Sequence, residues 1–338
     1  MKNDQLSELL ARASEAEPQE RKSKALRRAA RAAWMWPVEA ADIEDLQELR
    51  SVGPYVAGVI RGLLDDPPEP VDPPPIREGF ITLAHAREVL AEHPNDRAAV
   101  RADLQMHTTY SDGSVSVEEM ARAAAALGHR YIAITDHSKG LPIAGGIDED
   151  VLAQQAEEIA RVNETAPLRI LRSMEVNLSV EGEVDMEPGA LAKLDVVLAA
   201  FHSKLRVKED QTERYVRALQ NPDINTLAHP RGRVFNFRLG LSADWPAVFD
   251  AAATTGKALE IDAHLSRQDL NIELLRQAVR AGCHISIGTD AHHPDELAFI
   301  DLGIAAAIEA GVPFERILNT WEPDRLIDWA RAARGRGI

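Results

Sequence analysis

Eight side chains of this 338-residue chain are histidines or carboxylates that fall just after short β-rich runs. They are His107 and Asp112 in "DLQMHTTYSDG", His137 in "ITDHS", Glu175 in "MEVN", His202 in "FHS", His229 in "AHPRGR", and Asp290 and His292 in "GTDAHH". A lone histidine in such a place is ordinarily a hydrogen-bonded structural residue. Five of the chain's 11 histidines in equivalent positions of successive units are not a chance arrangement. Imidazoles and carboxylates gathered out of water also need charge compensation, which metal ions provide directly. Imidazole with carboxylate and no thiolate suits zinc, manganese or iron. A carboxylate such as Glu175 can bridge two ions, and ions about 3.5–4 Å apart clamp a phosphate and hold a hydroxide between them. That chemistry needs no protein nucleophile, so the lack of a serine–histidine motif is no obstacle.

Cations follow the same runs. Lys139 comes after His137, Lys204 after His202, Arg231 and Arg233 after His229, and Arg267 after "ALEIDA". Any one of them reads as a solvated loop charge. As a set beside metal ligands they favour a phosphorylated substrate, because guanidinium matches phosphate oxygens in a bidentate fork.

The elements that must carry these residues begin at about residue 101. Short β-rich runs ("ADLQM", "YIAIT", "LRILRSMEV", "VVLAAF", "INTLAH", "ALEIDA", "HISIG") alternate with helical patterns such as "VEEMARAAAALG", "DEDVLAQQAEEIARVN" and "IELLRQAVRAG". Seven strands, each followed by a helix, predict parallel βα units closing into a barrel. Barrel chemistry sits at the C-terminal ends of the strands, which is where the eight candidate ligands fall. Residues 4–64 read as a small set of helices, with "SVGP" as a tight turn between two apolar patterns in 46–64. Residues 65–75, "DDPPEPVDPPP", hold six prolines and predict a stiff spacer. One more helix is expected over 80–93. The domains are therefore 1–64, a linker with a helix over 65–100, and 101–338.

Composition bounds the rest. A net charge of −16 opposes long-range attraction to nucleic acid. It is uneven, since residues 21–31, "RKSKALRRAAR", carry six basic residues and no acidic one. No apolar run is long enough to cross a bilayer, and no signal-peptide core is present. The one cysteine, Cys283, opens the last strand at the end away from the ligands, so it reads as buried structure. It excludes an internal disulfide, and a reducing cytoplasm is the expected compartment.

With those motifs in order, residues 101–320 resemble the PHP (polymerase and histidinol phosphatase) family. The similarity is greatest to the PHP domains of bacterial family X DNA polymerases, notably across "LEIDAHLSRQDLNIELLRQAVRAGCHISIGTDAHH". The resemblance implies a distorted (β/α)7 TIM-like barrel, a trinuclear metal site and phosphoesterase activity. It assigns Gln105, His107, Glu175 and Asp290 to one ion. It assigns Glu175, His202 and His229 to a second, and Asp112, His137 and His292 to a third. Gln105 is the departure, because the family has histidine there. An amide oxygen binds zinc more weakly than imidazole does. That ion is therefore expected to be weakly held, or shifted toward manganese or magnesium.

"SKALRRAARAAWMWP" followed by "LQELRSVGPYVAGVI" is similar to the small DNA-binding domain of those polymerases, with its helix-hairpin-helix. Lys24, Arg27, Arg28, Arg31 and Gly53 are the DNA-contact candidates. Ser51 stands where the common hairpin has glycine, and a non-glycine residue resists positive φ. No polymerase palm lies between the two parts.

The expected function is phosphate-ester hydrolysis by a metal-bound hydroxide, with Asp290, Glu175, His202 and His229 as catalytic residues. The substrate favoured by the basic 21–31 segment is a DNA end or nucleotide, through 3′–5′ exonuclease or 3′-phosphatase action in DNA repair. The acidic balance favours the alternative of a small-molecule phosphatase of the histidinol-phosphatase type. A third reading is a non-catalytic metal- and DNA-binding module. No membrane partner is expected.

Overall fold

The computed structural model describes residues 1–334 of a chain that divides into two compact units, Met1–Pro94 and Asn95–Ile338. The first is all helical, with helices Asn3–Ala16, Glu20–Ala32, Pro54–Asp65 and Leu83–Glu92. In Glu20–Ala32 the apolar residues Leu26, Ala29 and Ala30 recur at helical spacing and enter a core with Leu6, Leu10, Trp36, Val56 and Ile60. Ser7 joins two of these helices: its hydroxyl donates to the Ala30 carbonyl (2.7 Å) and accepts from Trp34 Nε1 (2.9 Å). The proline-rich stretch packs onto this unit. Val71 is buried and exchanges hydrogen bonds with the Gln5 side chain (2.9 and 3.3 Å), and Arg77 pairs with Glu8 (2.6 Å).

The second unit is α/β. Among the described residues eight strands run β1 Ala102–Asp103, β2 Tyr131–Ile134, β3 Arg169–Arg172, β4 Glu175–Asn177, β5 Leu198–Ala200, β6 Thr226–Leu227, β7 Ala258–Asp262 and β8 His284–Gly288. They form two ladders, β1-β2-β3 and β4-β5-β6-β7-β8, parallel throughout. The expected third strand is thus two strands, broken at Ser173–Met174, and Glu175 opens the second ladder. Strands are short and almost wholly buried, which is why they read as apolar runs rather than alternations. Helices begin where the sequence supplies caps. Ser116 and Glu119 form a capping box, and Asp148 and Asn271 accept from the third residue of their helices.

The ends of the strands away from the candidate ligands are sealed by the C-terminal segment. Asn319 spans β1 and β8, donating to the carbonyls of Ala102 (2.9 Å) and Ile287 (2.7 Å) and accepting from Ile287 N (2.8 Å). The Tyr131 hydroxyl donates to the Trp321 carbonyl (3.0 Å). Cys283 lies buried here, and burial pushes its thiol up to about 12. Among the described residues no helix is long and apolar enough to cross a membrane.

Lys257 is also buried at this end, its ammonium donating to the Ile224 (2.6 Å) and Ala333 (3.0 Å) carbonyls. Burial pushes it from its usual 10.5 down to about 8. Between those values the unfolded chain holds more protons than the folded one, so this group makes stability rise with pH. Lys257→Met should therefore lose stability relative to the wild type as pH is raised from 8 to 10.5. Urea midpoints of both proteins across that window check it.

Candidate metal centre

Continuing from β1, the alternation of a strand turns Asp103, Gln105 and His107 to one side and sends Met106 into the apolar core on the other. All three are fully buried. Asp136, just past β2, fixes the loop that follows. Its carboxylate accepts from Thr108 N (2.8 Å) and Oγ1 (2.6 Å), Ser111 Oγ (2.6 Å) and Gln155 Nε2 (2.6 Å). Gly288 in β8 passes so close that a Cβ there would lie 2.5 Å from both Gln105 Cβ and Glu260 Oε1.

Glu175 is the meeting point. Its Oε1 lies 2.8 Å from His229 Nε2 and 3.1 Å from His202 Nε2. Its Oε2 lies 3.4 Å from a ring nitrogen of His107 and of His137, and accepts from Gln105 Nε2 at 3.0 Å. His107 Nε2 also meets Asp290 Oδ1 at 3.0 Å, and His292 Nε2 meets Asp112 Oδ1 at 3.2 Å. The rings of His107 and His137, and of His107 and His292, stack with centroids 4.3 Å apart. Two of these residues have unusual backbones: His229 has φ 28° and Asp290 φ 52°, costly for non-glycine residues.

Burial opposes ionisation of Glu175, yet His137, His229 and the hydrogen bonds of His107 and His202 hold its carboxyl well below the usual range. For Asp290 burial is likewise overcome, chiefly by Arg267, which lies 3.0 Å from its Oδ2. His137 is pushed down to about 3 by burial, so its ring is neutral and free to act as a ligand. Burial drives Glu260 and Asp262 the other way, well above the carboxylate range.

The fit to metal ions rests on the donors left without hydrogen bonds. Gln105 Oε1, His107 Nδ1 and His229 Nδ1 are buried without a hydrogen bond, and His137 Nδ1 and His202 Nε2 are buried with only the Glu175 carboxylate close by (3.4 and 3.1 Å). Candidate ligand atoms lie within 4.8 Å of one another in three overlapping groups: His107, Asp112, His137 and His292; His137, Glu175 and His202; and His107, Glu175 and Asp290. These groups suit divalent cations. All eight histidines and carboxylates singled out from the sequence come together, with His229 against Glu175. Gln105 is there too, its amide nitrogen toward Glu175.

The cations are less uniform. Arg267 faces Asp290 and Asp262 (3.3 Å). Arg233 is buried, donating to the Arg267 carbonyl (2.9 Å), and burial lowers it to about 10. Lys139 is held by Glu149 (2.7 Å). Arg231 donates to the Leu239 carbonyl (2.9 Å), and Lys204 is exposed. In the helical unit Lys24, Arg27, Arg28 and Arg31 share the exposed side of Glu20–Ala32, with Lys24 paired to Glu20 (2.6 Å). Gly53 is exposed and extended, while Ser51 does adopt a positive φ of 67°.

Sequence reasoning missed the residues that hold the ligands. Asn177 Oδ1 lies 3.2 Å from His202 Nδ1, and Glu260 Oε2 accepts from His229 N at 2.7 Å. The alternation in "ALEIDA" was the available signal: Leu259 and Ile261 face one way, Glu260 and Asp262 the other.

The PHP domain profile matches residues 103–228. The chain is 31% identical over 248 residues to a probable phosphatase of Edwardsiella ictaluri, covering 96% of that protein and 70% of this one. It belongs to the PHP domain family. It is a metal-dependent phosphoesterase of that family. This PHP chain is also 35% identical over 255 residues to the DNA polymerase/3′-5′ exonuclease PolX of Bacillus subtilis. That match takes in 74% of this chain but spans only 44% of the Bacillus protein. A histidinol phosphate phosphatase of Lactococcus lactis, solved with zinc, L-histidinol and phosphate, superposes with a TM-score of 0.46 at 18% identity over 62% of this chain and 94% of that one.

Glu175 stands in two of the three ligand groups of this PHP protein and Asp112 in one. Glu175→Gln should therefore lose more bound metal than Asp112→Asn, by metal analysis after desalting. Equal retention in both would break the assignment. Gln105→His, which replaces an amide donor to Glu175 with an imidazole, should raise metal content above the wild type. Unchanged content would remove Gln105 from the ligands.

Proposed function

We propose that this chain hydrolyses phosphate esters at nucleic-acid ends or in nucleotides, as a 3′–5′ exonuclease or 3′-phosphatase. The observation that carries this is Glu175, fully buried and approached by four imidazoles, with a guanidinium and basic loops beyond it. When bound, zinc or manganese ions, three in the fullest case, would supply Lewis acidity toward a phosphoryl group and lower the pKa of water. Gln105, His107, Glu175 and Asp290 would hold one of them, with Gln105 the weakest donor. Glu175, His202 and His229 would hold another, and Asp112, His137 and His292 the last.

The chain's own side chains do the rest. Asp290 is kept ionised by Arg267, and Glu175 by its imidazoles. Arg231 and Lys204, on the loops leaving His229 and His202, orient the ester by its phosphate oxygens. Arg267 and Arg233 lie deeper and act through Asp290 and the Arg267 carbonyl. We read the two ladders as one distorted barrel of seven strand positions. Hydrogen bonds between the β1 and β8 segments support this, from Leu104 N to the Ile287 carbonyl (3.2 Å) and from Asp290 N to the Gln105 carbonyl (3.1 Å).

For the helical unit we propose contact with DNA backbone through Lys24, Arg27, Arg28, Arg31 and the turn at Gly53. The positive φ of Ser51 supports a hairpin that serves there without glycine. The net charge of −16 favours the second reading, a phosphatase for small esters.

A metal-supplemented screen across DNA ends, nucleotides and histidinol phosphate tests both readings. The expected result is manganese- or zinc-dependent release from DNA ends, abolished by Asp290→Ala. Arg27→Gln/Arg28→Gln/Arg31→Gln should also weaken DNA binding and flatten its salt dependence, by about 0.9 in log–log slope per lost phosphate contact. Turnover of histidinol phosphate alone would replace the first reading with the second.

A further inference from the structure

We propose that Phe237 and Arg206 form a stacking subsite for a nucleobase at the rim of the centre, selecting a single-stranded nucleic acid over a small phosphate ester. The proposal rests on the phosphoesterase reading and adds to it the group that would be recognised beside the phosphate. Phe237 is 58% exposed and Leu239 53%. Large apolar side chains this open are worth explaining when they sit together on a rigid loop beside a site.

The loop is rigid. Val234 and Arg238 exchange backbone hydrogen bonds (2.8 and 2.9 Å), making a small hairpin with Phe237 at its turn. Phe235 N donates to the Ser266 carbonyl (2.7 Å), Leu241 N to the Arg231 carbonyl (2.8 Å), and Arg231 to the Leu239 carbonyl (2.9 Å). The hairpin leaves directly from His229. It packs on the loop that leaves from His202: a Cβ on Gly232, at φ 59°, would lie 3.0 Å from Leu205. Across that junction the Arg206 guanidinium lies 4.4 Å over the Phe237 ring and reaches the Phe237 carbonyl (3.4 Å). An aromatic ring already carrying a guanidinium presents two flat surfaces of the kind on which unpaired bases stack.

The charge around it favours a polyanion. Residues 201–208 hold Lys204, Arg206 and Lys208, and residues 230–243 hold Arg231, Arg233 and Arg238, with no acidic residue in either stretch of a chain whose net charge is −16. Among the described residues no carboxylate pairs with Lys204, Arg206, Arg231 or Arg238. Burial and then the charges of Arg267 and Arg206 lower Arg238, against the opposite pull of Asp269, so Arg238 feels like charge from both neighbouring loops. A phosphodiester backbone would offset that like charge, while a base occupies the ring. A duplex end offers its phosphates but keeps its bases stacked inside, so the subsite distinguishes strand state as well as chemistry.

The test uses the metal-loaded full chain. Binding of fluorescein-labelled oligo(dT) and of a duplex of equal length is read by anisotropy for wild type, Phe237→Ala and Phe237→Trp. We expect Phe237→Ala to weaken oligo(dT) binding about tenfold, the scale of one lost stacking contact, with little change for the duplex, and Phe237→Trp to retain it. The ratio of kcat/KM on a 3′-phosphorylated oligonucleotide to that on a chromogenic phosphomonoester should fall with Phe237→Ala. Equal oligo(dT) affinity of wild type and Phe237→Ala overturns the proposal. So does equal loss for single strand and duplex, or a self-association that Phe237→Ala abolishes in sedimentation. If wild type turns over neither ester, the phosphoesterase reading fails on its own, and the binding arm still decides the subsite.

Discussion

The structure turns on one carboxylate placed among four imidazoles with no access to water. Desolvating such a group costs several kcal/mol even after relaxation, on the order expected for any buried ion. The imidazoles of His107, His137, His202 and His229 offset part of that cost. They also leave ring nitrogens unpartnered, which is the arrangement expected where cations share the space. Glu175 opens the second ladder, so the break in the sheet and the focus of the site are the same place.

Much around that carboxylate reads as support for it. Asp136 holds the loop between His107 and Asp112, Asn177 meets His202, and Glu260 takes the backbone N–H of His229. Strain is accepted where it aims a ligand, at His229 and Asp290, and the packing of buried parallel strands resists its release. Arg267 lies against Asp290 and Asp262, whereas the side chains around Gln105 are the carboxylates of Asp103 and Glu175. That bears on Gln105. Its amide nitrogen turned to Glu175 is a hydrogen-bond donor where an imidazole would be a ligand.

The strands, the α/β class and the eight histidine and carboxylate positions were legible in the sequence, because fully buried parallel strands write themselves as apolar runs with their chemistry just after them. What lay hidden depended on side-chain direction or on distant partners. The break at Ser173–Met174 leaves no mark in an unbroken apolar run. Glu260 and Asp262 were visible only to a strict alternation within "ALEIDA". Lys139 and Arg233 looked alike in sequence, but Glu149 holds one at the surface and the fold buries the other. The proline stretch read as a spacer because nothing local says that Gln5 will bind Val71 within it or that Glu8 will hold Arg77 just beyond it.

Anomalous diffraction from crystals of the protein grown with manganese or zinc tests the central claim most directly. The account predicts difference peaks bonded to Glu175 and shared with the imidazoles around it, at about 2.0–2.2 Å from ring nitrogens and carboxylate oxygens. A fully loaded crystal with no peak beside Glu175, or with its metal elsewhere on the chain, would contradict it.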